Sequence, residues 1–253
     1  VINLDTHETI AALPKDEAPL GLAVDIGTTK LAGYLVDLES GDTLASAGAM
    51  NPQIAYGEDV MARIAYAMEN EQGEKELQRV LITGLNDLVE RLCAQAERDR
   101  NSIVDGVLVG NTCMHHLVLG LPVNALGLAP YVPLLSDACD IAARDLELAL
   151  APGAGIHLLP NIAGFVGADH VAMGLAVGIH ETNEVTLGLD IGTNTEIVLA
   201  ANGRLLSCSC ASGPAFEGAH IRDGMRAAPG AIEYVRLSDG RVEYQTIGDQ
   251  PPV

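Results

Sequence analysis

The chain has 253 residues, 48% of them apolar, with 34 acidic and 14 basic side chains and a formal charge of −20. That allows one large domain or two modest ones around a sizeable core, and with no Trp and only two Phe the core must be aliphatic. So acidic a surface repels phosphate backbones and anionic lipid, which argues against nucleic acid and membranes as partners; no apolar run reaches spanning length and no signal peptide is visible. The five cysteines (Cys93, Cys113, Cys139, Cys208 and Cys210) are odd in number and scattered, which argues against a disulfide framework and points to a reducing cytoplasm. Cys208 and Cys210, the close pair, are expected as small buried residues.

Residues 1–18 read as the tail of a preceding module and a linker, bounded by Pro14 and Pro19. The start at Val1 and the abrupt end "IGDQPPV" point to a piece of a longer protein. "GLAVDIG" (21–27) predicts a buried strand, and "KLAGYLVDLESGDTLASAGA" (30–49) two more joined by a turn at Ser40-Gly41-Asp42. Helical spacing of Val60, Met61, Ile64, Ala65 and Met68 predicts a helix in "EDVMARIAYAMEN", and a long amphipathic helix follows at 75–99. "IVDGVLVGNT" (103–112) predicts a strand, and "CMHHLVLGL" (113–121) a short helix. Residues 122–152 look irregular, with a helix-like piece near 140–150. "GIHLLPN" is a further strand and "GFVGADHVAMGLAVG" (164–178) a small-residue helix. The pattern then restarts. Strands are expected at "EVTLGLDIG", "EIVLAAN" and "GRLLSCSCA", with a hairpin turn at Asn202-Gly203. "GPAFEGAHIRDGMRA" (213–227) begins a helix, and "GAIEYVRL" and "RVEYQTIG" are strands.

One arrangement occurs twice: "LAVDIGTTKLAGYLVD" (22–37) and "LGLDIGTNTEIVLAANG" (187–203), each a strand, Asp-Ile-Gly-Thr, and a second strand. Gly lets the backbone turn sharply and approach a ligand. Successive backbone N–H groups and Thr hydroxyls donate to phosphate oxygens, and an Asp at the strand end suits a hydrated Mg²⁺. One such turn is a weak signal. Two are expected to face each other across a cleft and grip the β- and γ-phosphates from both sides.

On these residues the chain resembles the duplicated nucleotide-binding fold of acetate and sugar kinases, heat-shock chaperones and actin. The resemblance implies an α/β, ribonuclease H-like ATPase fold with two lobes around a nucleotide cleft. The first lobe would span 19–180 with its connecting helix, and the second, truncated, 181–253. The implied phosphate motifs are Asp25, Gly27, Thr28, Thr29 and Lys30, and Asp190, Gly192, Thr193, Asn194 and Thr195, with Asp25 and Asp190 on Mg²⁺. More closely, "NPQIAYGEDVMARI", "GNTCMHHLVLGL", "LPNIAGFVGADHVA", "LDIGTNTEIVL" and "ASGPAFEGAHIRDGMRAAPGAIE" resemble the reductive activators of corrinoid proteins, from about residue 20 to 250. That family implies ATP and Mg²⁺ as ligands, and a [2Fe–2S] cluster in an N-terminal ferredoxin domain that this chain lacks. It implies an ATPase that drives one electron onto Co(II) of a corrinoid protein, regenerating Co(I) for a methyltransferase. Related proteins suggest a homodimer. Two departures stand out. The second motif reads Asn194-Thr195-Glu196 where the family pattern has Asn-Gly-Glu, and the glycine-rich adenosine motif expected soon after residue 248 is absent.

Other candidates carry two readings each. Asn111 and Thr112, at a strand end, either face the ligand or cap the next helix. Asp169 and Glu196 either orient an attacking water or are a helix salt bridge or a surface carboxylate. Gly213, Glu217 and Gly218 open a helix beside the cleft, where Glu217 either contacts ribose or favours the helix N-terminus. Lys30 is a phosphate point charge or a solvated strand residue. His115 and His116 invite a cobalt-ligand role, but neighbours on a helix diverge by about 100° and no third ligand is spaced to help. Two alternatives to the activator remain on sequence alone: a small-molecule (sugar or acid) kinase of the same fold, and a non-enzymatic actin-like interaction module.

Overall fold

Alternating apolar residues set the first strand, β1 (Leu20–Ile26): Leu20, Leu22, Val24 and Ile26 are all buried on one face. In the computed structural model, which describes every residue except 5, 193, 214–221, 226, 227 and 239, the chain forms two compact units, Val1–Thr182 and Asn183–Val253.

In the first unit β1 pairs antiparallel with β2 (Lys30–Asp37), and β2 with β3 (Thr43–Met50). Helices α1 (Val60–Glu69) and α2 (Gly73–Ala96) come next. Asp59 caps α1, its carboxylate accepting from Ala62 N at 2.7 Å. Leu77, Leu81, Leu85, Leu88 and Leu92 form the buried stripe of α2, at the spacing one helix face requires. That stripe covers β2 so closely that a Cβ on Gly33 would lie 2.9 Å from Leu88 Cδ2. β4 (Ile103–Gly110) then runs parallel to β1, followed by α3 (Thr112–Val118) and the single turn α4 (Asn124–Gly127). β5 (Cys139–Ala142), β6 (Gly155–Leu158) and α5 (Ala168–Ala176) complete the unit, whose mixed sheet has the order β3-β2-β1-β4-β6-β5.

Two expectations change here. Residues 139–142 are a strand, because their backbone pairs antiparallel with β6; only one 3-10 turn follows before Glu147 turns left-handed at φ 58°. And α5 begins later than residue 164, because Ala163 and Val166 close a bridge just before it.

The second unit is an antiparallel sheet of β7 (Thr186–Ile191), β8 (Asn194–Ala201) and β9 (Arg204–Ala211), with a separate hairpin of β10 (Ile232–Ser238) and β11 (Arg241–Thr246). Asn202 and Gly203 both take positive φ, which the tight β8–β9 turn needs. Cys208 and Cys210 are exposed rather than buried, since β9 is the sheet edge among the described residues; Cys93 and Cys113 are buried, and all five thiols are unpaired. Most of the helix expected over 213–227 lies outside the described residues. No described helix is long and apolar enough to cross a membrane.

Candidate functional site

The β1–β2 turn holds Gly27, Thr28 and Thr29, with Lys30 opening β2. Gly27 is required sterically: a Cβ there would lie 2.6 Å from the Lys30 carbonyl oxygen. Parallel pairing sets Ile26 opposite Gly110, so the carboxyl ends of β1 and β4 lie side by side. Crevices outside such strand ends are where open α/β sheets bind ligands. Asn111 joins the two ends. Its Oδ1 accepts from Met114 N at 3.0 Å, capping α3, while its Nδ2 donates to the Thr28 hydroxyl at 2.9 Å. The cap reading of Asn111 therefore holds together with a direct link to the turn. Thr112 is fully buried, and its hydroxyl donates to the Ala163 carbonyl at 2.7 Å.

Gly167 caps α5 and is pressed onto the same junction, where a Cβ would come within 2.4 Å of Asn111 Cα. Asp169, half-buried in the first turn of α5, accepts from His170 N at 2.8 Å. The first unit thus gathers the 27–30 turn, Asn111 and the start of α5. Asp25 and Lys30 are exposed on one face of the sheet, Asp25 opposite Ala32 on β2, the next residue but one after Lys30.

Three residues that sequence reasoning missed lie beneath this turn. The Asn51 amide donates to the Gly27 carbonyl at 2.8 Å, and its backbone N–H to the Thr29 carbonyl at 2.9 Å. The Arg63 guanidinium, fully buried, donates to the Thr28 carbonyl and, at 3.2 Å, to Gln53 Oε1. Burial lowers the Arg63 pKa to about 10, so it is still a cation at neutral pH. The available signal was a charged residue inside the apolar stripe Val60, Arg63, Ile64, Ala67 of α1.

In the second unit, antiparallel pairing sets Asp190 on β7 opposite Glu196 on β8. Burial pushes the Glu196 carboxyl up, the Ser209 hydroxyl at 3.0 Å opposes this, and repulsion from Asp190 adds to it. Such a pair of carboxylates is a fitting donor set for a cation that keeps most of its water, as Mg²⁺ does. The turn between them is closed by Gly192 N donating to Asn194 O at 3.0 Å. Thr195 projects to the opposite sheet face, where its hydroxyl bonds that of Ser212. Gly213 has φ 72°, and no described atom lies within 4 Å of where its Cβ would be. Thr193, Glu217 and Gly218 lie outside the described residues.

The histidine pair is structural in its contacts. His116 donates from Nδ1 to Thr112 O at 2.7 Å and accepts at Nε2 from Leu134 N at 3.0 Å, while His115 Nδ1 accepts from Asn161 at 3.0 Å. The five cysteines lie on α2, α3, β5 and β9, and no three metal-ligating side chains gather among the described residues. These thiols do not make the four-cysteine set of an iron–sulfur cluster.

Residues 20–182 match the family described as the RACo middle region, and residues 184–253 the C-terminal domain of RACo, the ASKHA domain. The corrinoid activation enzyme RamQ of Eubacterium limosum is 37% identical over 238 residues, covering 94% of this chain and 40% of RamQ. The Co(II) methylated amine-specific corrinoid protein reductase of Methanosarcina barkeri is 29% identical over 221 residues, 84% of this chain and 40% of that protein. A solved structure of a reductive activator for corrinoid, iron-sulfur protein superposes with a TM-score of 0.86 at 39% identity, covering 94% of this chain and 38% of that one. The chain spans about two fifths of the length of these relatives. It belongs to the RACo family, and its mixed α/β architecture, with one Asp-Ile-Gly-Thr turn in each matched region, is that of the family's middle region and ASKHA domain.

Proposed function

We propose that the protein carrying this chain is an ATP-dependent reductive activator that returns Co(II) of a corrinoid protein to Co(I) in support of a methyltransferase. The observation that carries this is family membership together with an Asp-x-Gly-Thr turn in each of the two matched regions. The names of RamQ and of the Methanosarcina barkeri reductase describe action on corrinoid proteins, and this supports the same partner class here. Membership in this family favours the activator over the kinase and interaction-module alternatives.

In this proposal the 27–30 turn and the 192–195 turn bind phosphate oxygens of ATP. Asp25 in the first unit and Asp190 in the second, the latter paired with Glu196, are the carboxylates proposed to take hydrated Mg²⁺, which when bound offsets phosphate charge. Asp169 and the half-buried Glu196 are the carboxylates proposed to orient water, Asp169 from the start of α5 and Glu196 from β8. Asn111 fixes the Thr28 hydroxyl and so the shape of the first turn. Five unpaired thiols suit a reducing, cytoplasmic setting.

The test adds ATP, a low-potential reductant and a Co(II) corrinoid protein to the full-length protein and follows the Co(I) absorbance. Co(I) is expected only when ATP is present. Equal Co(I) with and without ATP, or none with any corrinoid protein of a methyltransferase system, would overturn the proposal.

A further inference from the structure

The buried polar cluster under the β1–β2 turn is unusual in its chemistry. Arg63 is 0% exposed, and among the described residues its hydrogen bonds run to neutral acceptors, Gly57 O at 3.0 Å, Gln53 Oε1 at 3.2 Å, Met114 Sδ at 3.4 Å and Thr28 O, with the Asp59 carboxylate acting only through its charge. A buried cation satisfied only by neutral groups costs several kcal/mol in general, so as a stability device it is a poor choice. Gln53 is itself held in place. Its Nε2 donates to Leu77 O at 2.9 Å, which turns its Oε1 toward Arg63, and its N–H donates to Asn51 Oδ1 at 3.0 Å.

The consequence lies in the turn above. Three consecutive carbonyls, of Gly27, Thr28 and Thr29, are each held from the interior, by Asn51 Nδ2, Arg63 Nη2 and Asn51 N. In a trans peptide the N–H points opposite to the carbonyl of the same unit. Pulling these three oxygens inward therefore turns the N–H groups of Thr28, Thr29 and Lys30 away from the cluster. Successive N–H groups turned to one side form a concavity for an anion, and a fixed positive charge beneath adds to its potential.

We propose that Arg63, with Asn51 and Gln53, is the positioning network of the first phosphate turn: it presets the Thr28, Thr29 and Lys30 amides for a phosphate oxygen without touching the ligand. The proposal rests on the phosphate reading of the 27–30 turn given above.

The test measures amide hydrogen exchange of residues 28–30 without nucleotide, and affinity for Mg·ATP and for adenosine, in the full-length protein and in R63M, R63K and Q53M. R63M is expected to speed exchange of these amides by about tenfold or more, the scale set by losing one buried charge-assisted hydrogen bond. It should weaken Mg·ATP by a similar factor while leaving adenosine, which carries no phosphate, near its wild-type affinity. R63K, which reaches only some of the same carbonyls, should fall between. Q53M keeps the charge but frees its orientation, and should also give intermediate exchange. Should R63M fail to fold, R63K and Q53M decide. Wild-type exchange at 28–30 in R63M or, failing that, in both other variants overturns the proposal, as does equal weakening of ATP and adenosine. If the exchange pattern is as expected but the wild-type protein binds no Mg·ATP, the nucleotide reading fails and the positioning of the turn stands.

Discussion

The contact that closes the first unit's candidate site can be broken by a single methyl group. Gly167 has φ −94° and ψ −173°, an extended conformation that any residue adopts, so alanine brings no backbone strain. Its Cβ, however, would sit 2.4 Å from Asn111 Cα, 2.6 Å from Gly110 O and 2.8 Å from Asn111 C. All three are backbone atoms, so no rotamer change relieves the clash. Ordinary contact between carbon atoms is about 3.5–4.0 Å, so the start of α5 must retreat by about 1 Å. Overpacking of this kind costs about 1–3 kcal/mol. For a domain of this size that lowers Tm by roughly 2–12 °C. Gly155→Ala is the matched control: no atom of the described residues lies within 4 Å of its Cβ, and its change should stay within about 0.5 kcal/mol. Thermal unfolding followed by circular dichroism compares the two. Because Asn111 also holds Thr28, the account predicts that Gly167→Ala weakens Mg·ATP binding as well. A Gly167→Ala protein that melts with the wild type and binds ATP equally would refute the seating of α5 on Asn111.

Further outcomes concern titration, thiols and the carboxylates proposed for Mg²⁺. Burial, then the neighbouring His116, lowers the His115 pKa to about 4, and burial lowers that of His116 against the pull of the Thr112 carbonyl. The unfolded chain therefore binds more protons below about pH 6.5, so this stability is complete above that pH and is lost as pH falls toward 4. The urea midpoint should drop from pH 7 to 5.5, and drop less in His115→Gln; a midpoint constant over that range contradicts the neutral, buried pair. Burial also pushes the Cys113 thiol up to about 12, whereas Cys208 and Cys210 are exposed. A maleimide should label Cys208 and Cys210 in the native protein and reach Cys113 only on unfolding, as read by peptide mass spectrometry; native labelling of Cys113 would contradict the packing of α3. Asp25→Asn and Asp190→Asn should each weaken Mg²⁺-dependent ATP binding by about tenfold or more, about 1.4 kcal/mol. Calorimetry with and without Mg²⁺ checks this, and unchanged binding in both variants would overturn the proposed metal role of these carboxylates.

Much of the frame was legible because its physics is local. Alternation in Leu20–Ile26 and four-residue spacing in Leu77–Leu92 mark a strand and a helix without tertiary information. Asn202-Gly203 specifies its own turn. The strand at Cys139–Ala142 was not legible, because four residues carry too little pattern and their pairing with β6 is a tertiary matter. The same limit hid the support under the first turn: Asn51 and Arg63 are 24 and 35 residues from the carbonyls they hold. The Asp190–Glu196 pair was closer to hand. Counting back across a hairpin from Ile191 and Thr195 puts the two carboxylates opposite each other, though the sequence alone treats them as separate candidates.

The most direct measurement of the central claim is amide hydrogen exchange of the full-length protein with Mg·ATP, with Mg²⁺ alone and without either. The account predicts nucleotide-dependent protection of both Asp-x-Gly-Thr turns, residues 27–30 and 190–195, with little change in the interior of α2. Protection of neither turn, or of only one, at saturating Mg·ATP would contradict it.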